Sequence, residues 1–122
     1  MDELSYGCFS LLESKNKQQE TIMIYVIATT VLKEGCREKF IELTKANLAT
    51  VRAEKGCIFY GLNEDCPTDL PSVKKPDTLT FVECWEDLDA LKAHLASPHM
   101  KAFAASVKDL RTGSELRIVT PV

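Results

Sequence analysis

The two histidines of the chain are its most versatile acid–base residues, and both fall in one short segment. His94 and His99 stand on either side of Ser97-Pro98. Because histidine titrates near neutral pH, either ring could act as a base or an acid if it reaches a substrate proton. A histidine on an amphipathic helix is also commonly a boundary residue that bonds a backbone carbonyl. Both roles are open for each histidine.

A metal site built from these two rings is disfavoured by their spacing. His94 and His99 are five residues apart, and five steps of roughly 100° place two side chains about 140° apart on an unbroken helix. Only a break at Pro98 could bring the rings together. No carboxylate or cysteine nearby stands at metal-ligand spacing. We therefore predict that the chain holds no metal.

A carboxylate lies among apolar residues shortly before the histidines. Strict alternation along a strand would put Glu83 on the same face as Phe81 and Trp85. Because a buried carboxylate needs partners, Glu83 could orient a histidine or pair with Arg117 across the sheet.

Trp85 and Tyr60 each combine an aromatic surface with one polar tip, which suits a flat ligand or the edge of a core.

The elements that must position these residues follow the order β-α-β-β-α-β. Runs rich in β-branched and aromatic residues predict four strands, over Met23–Leu32, Cys57–Asn63, Thr78–Trp85 and Glu115–Pro121. With right-handed crossovers, this order predicts a ferredoxin-like α+β fold. In that fold a four-stranded antiparallel sheet carries both helices on one face.

Apolar residues at helical spacing predict the two helices. The first covers Cys36–Glu54, and Gly56 is a candidate left-handed residue at its end. The second begins at Asp87, is interrupted at Ser97-Pro98 and ends at Gly113. Ser97 can cap the renewed helix, with Pro98 in its first turn.

Both faces of the predicted sheet are apolar. In the first strand Tyr25, Ile27 and Val31 point to one side, and Ile24 and Val26 point to the other. Two helices can cover only one face, so a second copy of the chain is the simplest cover for the other. We expect a homodimer packed sheet against sheet.

Composition indicates one globular domain preceded by an extension. The chain has 122 residues, a net charge of −3, 45% hydrophobic residues and 27% charged residues, which disfavours disordered, fibrous and nucleic-acid-coating proteins. Residues 1–22 lack periodicity and are expected to be flexible or to dock on a partner, whereas 23–122 form the domain. The lone basic doublet Lys74-Lys75 is too small for a nucleic-acid footprint.

The cysteines and the N-terminus predict a cytoplasmic location. None of the five cysteines forms a C-x-x-C pair, so reduced thiols are expected. The N-terminal apolar stretch is too short for a secretory signal or a membrane span. We therefore expect no membrane insertion.

The segment that carries the histidines resembles the signature of the antibiotic biosynthesis monooxygenase (ABM) domain family. The similar positions include Glu83, Trp85, His94, Ser97-Pro98-His99 and Phe103. A second stretch, Glu54-x-Gly56-Cys57-x-x-Tyr60, and the proline-rich insertion after the second strand are most similar to the quinol monooxygenase branch. The resemblance covers residues 23–122 and implies a dimeric α+β barrel.

The resemblance also implies oxygenation without flavin, haem, metal or any other cofactor. The substrate must then supply the electrons, as a small quinol or another electron-rich aromatic can do once it is deprotonated and meets O₂. His94 or His99 is the candidate catalytic base. The candidate substrate-binding residues are Trp85, Tyr60, Asn63, Phe81 and Glu83.

Other functions of the family remain open. Haem degradation is disfavoured, because Ala28 and Ala104 stand where that branch has an asparagine and a haem-ligating histidine. An isomerase or degradation enzyme of a phosphorylated autoinducer-2 type signal shares the histidine region, and it would need cations such as Lys33, Lys74 or Lys75. A dimeric small-ligand-binding protein without catalysis is the third alternative.

Overall fold

The computed structural model describes residues 22–122. The predicted extension therefore lies outside the described residues, except for Ile22. The elements are β1 (Ile24–Leu32), α1 (Arg37–Arg52), β2 (Cys57–Asn63), β3 (Thr78–Trp85), α2 (Leu88–Ala96), α3 (Pro98–Val107), a 3₁₀ turn (Lys108–Leu110) and β4 (Arg111–Val119). This order confirms the predicted β-α-β-β-α-β arrangement, with the second helix split in two.

The four strands form one antiparallel sheet in the order β2-β3-β1-β4, which confirms the predicted ferredoxin-like α+β fold. The register places Glu83 opposite Val26, whereas Arg117 lies opposite Ile27. Successive residues of a strand point to opposite faces. Glu83 and Arg117 are therefore on different faces, and the proposed ion pair between them is wrong.

The break between α2 and α3 depends on Ser97 and Pro98. The Ser97 hydroxyl donates to the His94 carbonyl at 2.7 Å and accepts from the Met100 backbone N–H at 3.3 Å. Ser97 is extended, as expected for a residue before proline, and Pro98 occupies the first turn of α3. The chain therefore changes direction between His94 and His99, which sit in different helices.

The end of the second helical region differs from the prediction. α3 ends at Val107, and Gly113 lies within β4 opposite Val31 rather than at a helix end. Residues 111–114, at the start of β4, carry no strong strand signal of their own. Their backbone groups are instead satisfied by pairing with β1, so tertiary pairing overrides the local propensity.

The core lies between the helices and one face of the sheet, and the other face is exposed. Phe40, Val51, Trp85, Leu91 and Val107 are almost fully buried in that core. The outer sheet face includes the apolar side chains of Tyr25, Ile27, Val31, Phe59 and Val82, which are 36–52% exposed. The prediction that both sheet faces are apolar is confirmed for the described residues.

Four cysteines of the described part, Cys36, Cys57, Cys66 and Cys84, are free. Burial raises the pKa of the Cys57 and Cys84 thiols, which keeps both protonated and weakly nucleophilic. Within residues 22–122, no helix has the length and apolar character needed to cross a membrane.

Candidate active site

A cavity of about 250 Å³ lies between the inner sheet face and helices α2 and α3. Its inner wall includes Tyr60, Phe81, Glu83, His94, Met100 and Phe103. Arg111 and Leu116 of β4 line a further side. Cavities of this kind, mostly apolar with a few convergent polar groups, are the usual sites for small organic ligands. The volume suits one or two fused rings.

Aromatic side chains give the cavity a fixed wall. The rings of Tyr60 and Phe81 are 5.5 Å apart and tilted by 37°, and Phe81 meets Phe103 edge-on at 6.4 Å. Such pairs contribute about 0.5–1.5 kcal/mol beyond their buried area, so the wall is held in place before a ligand arrives. Burial, together with the nearby Glu83 and Glu54, raises the pKa of Tyr60, which therefore stays a neutral phenol.

Glu83 is the buried carboxyl group of this cavity. It is only 6% exposed, and its Oε1 accepts a hydrogen bond from Trp85 Nε1 at 2.9 Å. Burial raises its pKa to about 7, against the lowering effect of the Trp85 hydrogen bond. At neutral pH the carboxyl is therefore present in both protonation states, and it can donate or accept a hydrogen bond.

His94 is the buried imidazole of the cavity wall. It is 1% exposed, lies 4.5 Å from the Trp85 ring at a tilt of 33°, and meets the edge of Tyr60 at 5.5 Å. Trp85 is fully buried behind this ring and does not itself line the cavity. The tryptophan therefore supports His94 and Glu83 rather than contacting a ligand.

One carboxylate oxygen joins the two histidines. Glu54 Oε2 lies 2.9 Å from His94 Nδ1 and 2.6 Å from His99 Nε2. We call these three residues the Glu54 cluster. The side chain of Glu54 is 13% exposed and that of His99 is 27% exposed. The helix break thus brings together two rings that an unbroken helix would hold apart, and the carboxylate that seemed absent comes from the turn that follows α1.

Gly56 allows the turn that follows α1 to approach α2 closely. Its φ is +85°, and a Cβ at this position would lie 2.5 Å from the Cβ of Ala90. The Glu86 backbone N–H donates to the Gly56 carbonyl at 2.8 Å. The predicted left-handed glycine is therefore confirmed, and the close approach that it permits brings Glu54 to His94.

The donor set of the Glu54 cluster, two imidazole nitrogens and a carboxylate oxygen, is chemically able to hold a divalent ion, and its ligand atoms lie within 4.8 Å of one another. However, two ligands of one transition metal are normally about 3 Å or more apart. The separation of 2.6 Å between Glu54 and His99 fits a direct hydrogen bond better. The predicted lack of a metal stays a prediction.

The predicted site residues divide into three groups. Tyr60, Phe81, Glu83 and His94 line the cavity together. Trp85 and His99 lie behind that wall. Trp85 donates a hydrogen bond to Glu83 and stacks on His94, and His99 contacts Glu54. Asn63 lies elsewhere, with its amide N–H groups donating to the Gly61 and Thr80 carbonyls at 3.2 and 3.3 Å.

Glu54 and Phe103 complete the site without having been predicted as site residues. Glu54 is 40 residues from His94 in the sequence, so no local spacing connects them. Phe103 follows the helical periodicity of the core, which does not distinguish a cavity wall from ordinary packing. The available signal was their presence in the two stretches that resemble the ABM family.

Comparisons with known proteins agree with this architecture. The family model described as "Antibiotic biosynthesis monooxygenase" matches residues 23–106. A protein of Escherichia coli K12 named "Probable quinol monooxygenase YgiN" is 32% identical over 102 residues, covering 81% of this chain and 98% of that protein.

Solved structures show the same relationship. A conserved protein from Methanosarcina mazei Go1 has a TM-score of 0.71 at 26% identity, covering 84% of this chain and 96% of that chain. Rv0793 from Mycobacterium tuberculosis has a TM-score of 0.70 at 27% identity, covering 82% and 95%. With its inner cavity, its split second helix and these matches, the chain belongs to the antibiotic biosynthesis monooxygenase family.

Proposed function

We propose that this protein is a cofactor-independent monooxygenase that oxidises a small quinol or another electron-rich aromatic with O₂. The observation that carries the proposal is the meeting of a buried imidazole, His94, and a buried carboxyl group, Glu83, at one aromatic-walled cavity. The E. coli relative is named a probable quinol monooxygenase, which supports the same substrate class.

The reaction balances without an external reductant. A quinol with one free ring position reacts with O₂ to give a hydroxyquinone and water. After loss of a hydroxyl proton, the quinolate passes one electron to O₂, and the two radicals combine to form a bond between carbon and oxygen. The O–O bond then breaks as the proton on that carbon leaves, so one oxygen atom stays in the product and the other departs as water. All four electrons come from the substrate.

Five residues of the cavity have a role in this scheme. His94 takes the hydroxyl proton and returns it to the departing oxygen, which is general base and general acid catalysis by one group. Glu83 hydrogen-bonds a substrate oxygen in either protonation state. Tyr60, Phe81 and Phe103 stack on the ring and keep water away from the radical pair.

A first test is oxygen consumption with reduced menadione, measured above the autoxidation blank. We expect enzyme-dependent uptake, and a loss of about 100-fold or more in kcat for His94→Gln, because general base catalysis typically contributes about that much. Lys92→Ala, on the exposed side of the same helix, is the matched control. Uptake that equals the blank, or that is unchanged in His94→Gln, contradicts the proposal.

An isomerase is the second candidate, favoured by one specific observation. Glu83 and His94 face the same cavity and could move a proton between two carbon atoms of a small substrate. A phosphorylated substrate would need a cation, and Arg111 is the one cationic residue among the described lining residues; Lys33, Lys74 and Lys75 are not among them. Exchange of a substrate C–H with D₂O, without oxygen consumption, would favour the isomerase.

We further propose that the protein acts as a homodimer. The outer sheet face exposes five large apolar side chains on three neighbouring strands. An exposed group of large apolar side chains of this kind is usually covered in the functional assembly. A second copy, packed through the same face, buries both surfaces at once.

A further inference from the structure

Glu54 contacts one of the two ring nitrogens of His94. His94 Nδ1 lies 2.9 Å from Glu54 Oε2. An ionised carboxylate can only accept hydrogen bonds, so the ring proton of neutral His94 belongs on Nδ1. The other nitrogen, Nε2, then has a free lone pair. A base needs that lone pair to take a proton from a substrate.

His99 fixes Glu54 in turn. Its Nε2 lies 2.6 Å from the same carboxylate oxygen, and the Ser97 hydroxyl lies 3.3 Å from that nitrogen. His99 belongs to the first turn of α3, whereas His94 belongs to the end of α2. The carboxylate is thus held between two helices, and its side chain has little freedom to turn away from His94.

We propose that Glu54 is a positioning residue that sets the tautomer and orientation of His94, and that His99 is the group that holds Glu54 in place. The order from the cavity outward is His94, Glu54, His99, and neither Glu54 nor His99 lines the cavity. A base oriented by a hydrogen-bonded carboxylate is a recurring catalytic arrangement. This inference rests on the proposed function for its chemistry, but its geometry can be tested separately.

The arrangement predicts an unequal effect on binding and on turnover. Replacing Glu54 by glutamine keeps the size of the side chain but removes its charge, so the other His94 tautomer becomes accessible. We expect kcat for reduced menadione to fall about 100-fold in Glu54→Gln while KM stays within about twofold. His99→Ala should lower kcat about tenfold, as loss of an outer hydrogen-bond partner commonly does.

A conservative replacement distinguishes positioning from general loss of packing. The amide N–H of His99→Gln can still donate to Glu54, so this variant should recover most of the activity that His99→Ala loses. Lys101→Ala, in the same turn of α3 and exposed, is the matched control. Thermal unfolding of each variant identifies those that are not folded.

Nitrogen NMR of the folded protein tests the inference without any activity. We expect the proton of neutral His94 to reside on Nδ1 in the wild type and in His99→Gln, and to shift toward Nε2 in Glu54→Gln. If the wild type has this tautomer but consumes no oxygen, the proposed function fails and the positioning role stands.

Three results would overturn the inference. The first is a wild-type His94 with its proton on Nε2. The second is an active wild type whose kcat changes less than twofold in Glu54→Gln. The third is stoichiometric binding of Zn²⁺ or Fe²⁺ that moves the nitrogen signals of both rings and is lost in Glu54→Gln, because the Glu54 cluster would then be a metal site.

Discussion

Glu83 couples the chemistry of the cavity to the stability of the fold. In the unfolded chain this carboxyl ionises above its ordinary pKa of 4.5, but in the folded protein burial raises its pKa to about 7. Between these values the unfolded state loses its proton first. The free energy of unfolding therefore falls as the pH rises from about 4.5 to about 7, and Glu83 lowers stability at alkaline pH.

The variant Glu83→Gln should remove this loss of stability at alkaline pH. Its amide oxygen can still accept the Trp85 N–H, but it carries no charge to desolvate. We expect urea unfolding at pH 8 to show a gain of up to about 3 kcal/mol over the wild type, and little gain at pH 4. The exposed Glu42→Gln is the control. An equal effect of Glu83→Gln at both pH values would show that Glu83 is not desolvated.

The position of a single site residue can be predicted from the sequence where strand alternation or local spacing determines it. Period-two alternation placed Glu83 with Phe81 inside the molecule, as the structure has it. The same reasoning could not find Glu54, because its contact with His94 joins residues 40 positions apart. Arg117, one of the two partners considered for Glu83, lies on the other face, because the register of β4 is not readable from local alternation.

The turn between α1 and β2 connects the helices to the site. Gly56 combines a positive φ with a close approach to Ala90, whereas Gly35 has a similar φ of +82° but nothing within 4 Å of the position where a Cβ would lie. A side chain at Gly35 would meet only backbone strain, whereas a side chain at Gly56 would meet the same strain and a steric clash with Ala90.

Alanine at these two positions should give different losses of stability. Gly35→Ala should lower the free energy of unfolding by about 1 kcal/mol, the cost of a left-handed residue with a Cβ. Gly56→Ala should lower it by about 3 kcal/mol, because α1 or α2 must also move. Denaturant unfolding measures both, and equal losses would show that the packing against Ala90 is not tight.

Elements were predictable where their pattern was strong. The strand at Thr78–Trp85 and the helix break at Ser97-Pro98 follow from β-branched residues and from a serine–proline pair. The start of β4 was not predictable, since its first residues pair with β1 despite a glycine and weak local propensity.

For the whole molecule, the outer sheet face predicts association. We expect light scattering to give twice the chain mass of 13.6 kDa. A charge introduced by Val82→Glu, at the centre of that face, should shift the protein toward monomer. Leu88→Glu changes a residue of similar exposure on α2 and should leave the dimer intact. A wild-type monomer at micromolar concentration would contradict the proposed assembly.

The most direct test of the proposed oxygenation is to follow the oxygen atoms. Metal-stripped protein is incubated with reduced menadione under ¹⁸O₂, and the product is analysed by mass spectrometry beside a heat-inactivated control. We expect a hydroxylated naphthoquinone with one ¹⁸O atom, and undiminished turnover after removal of metals. An unlabelled quinone that forms together with hydrogen peroxide, or activity that returns only when a metal is added, would contradict it.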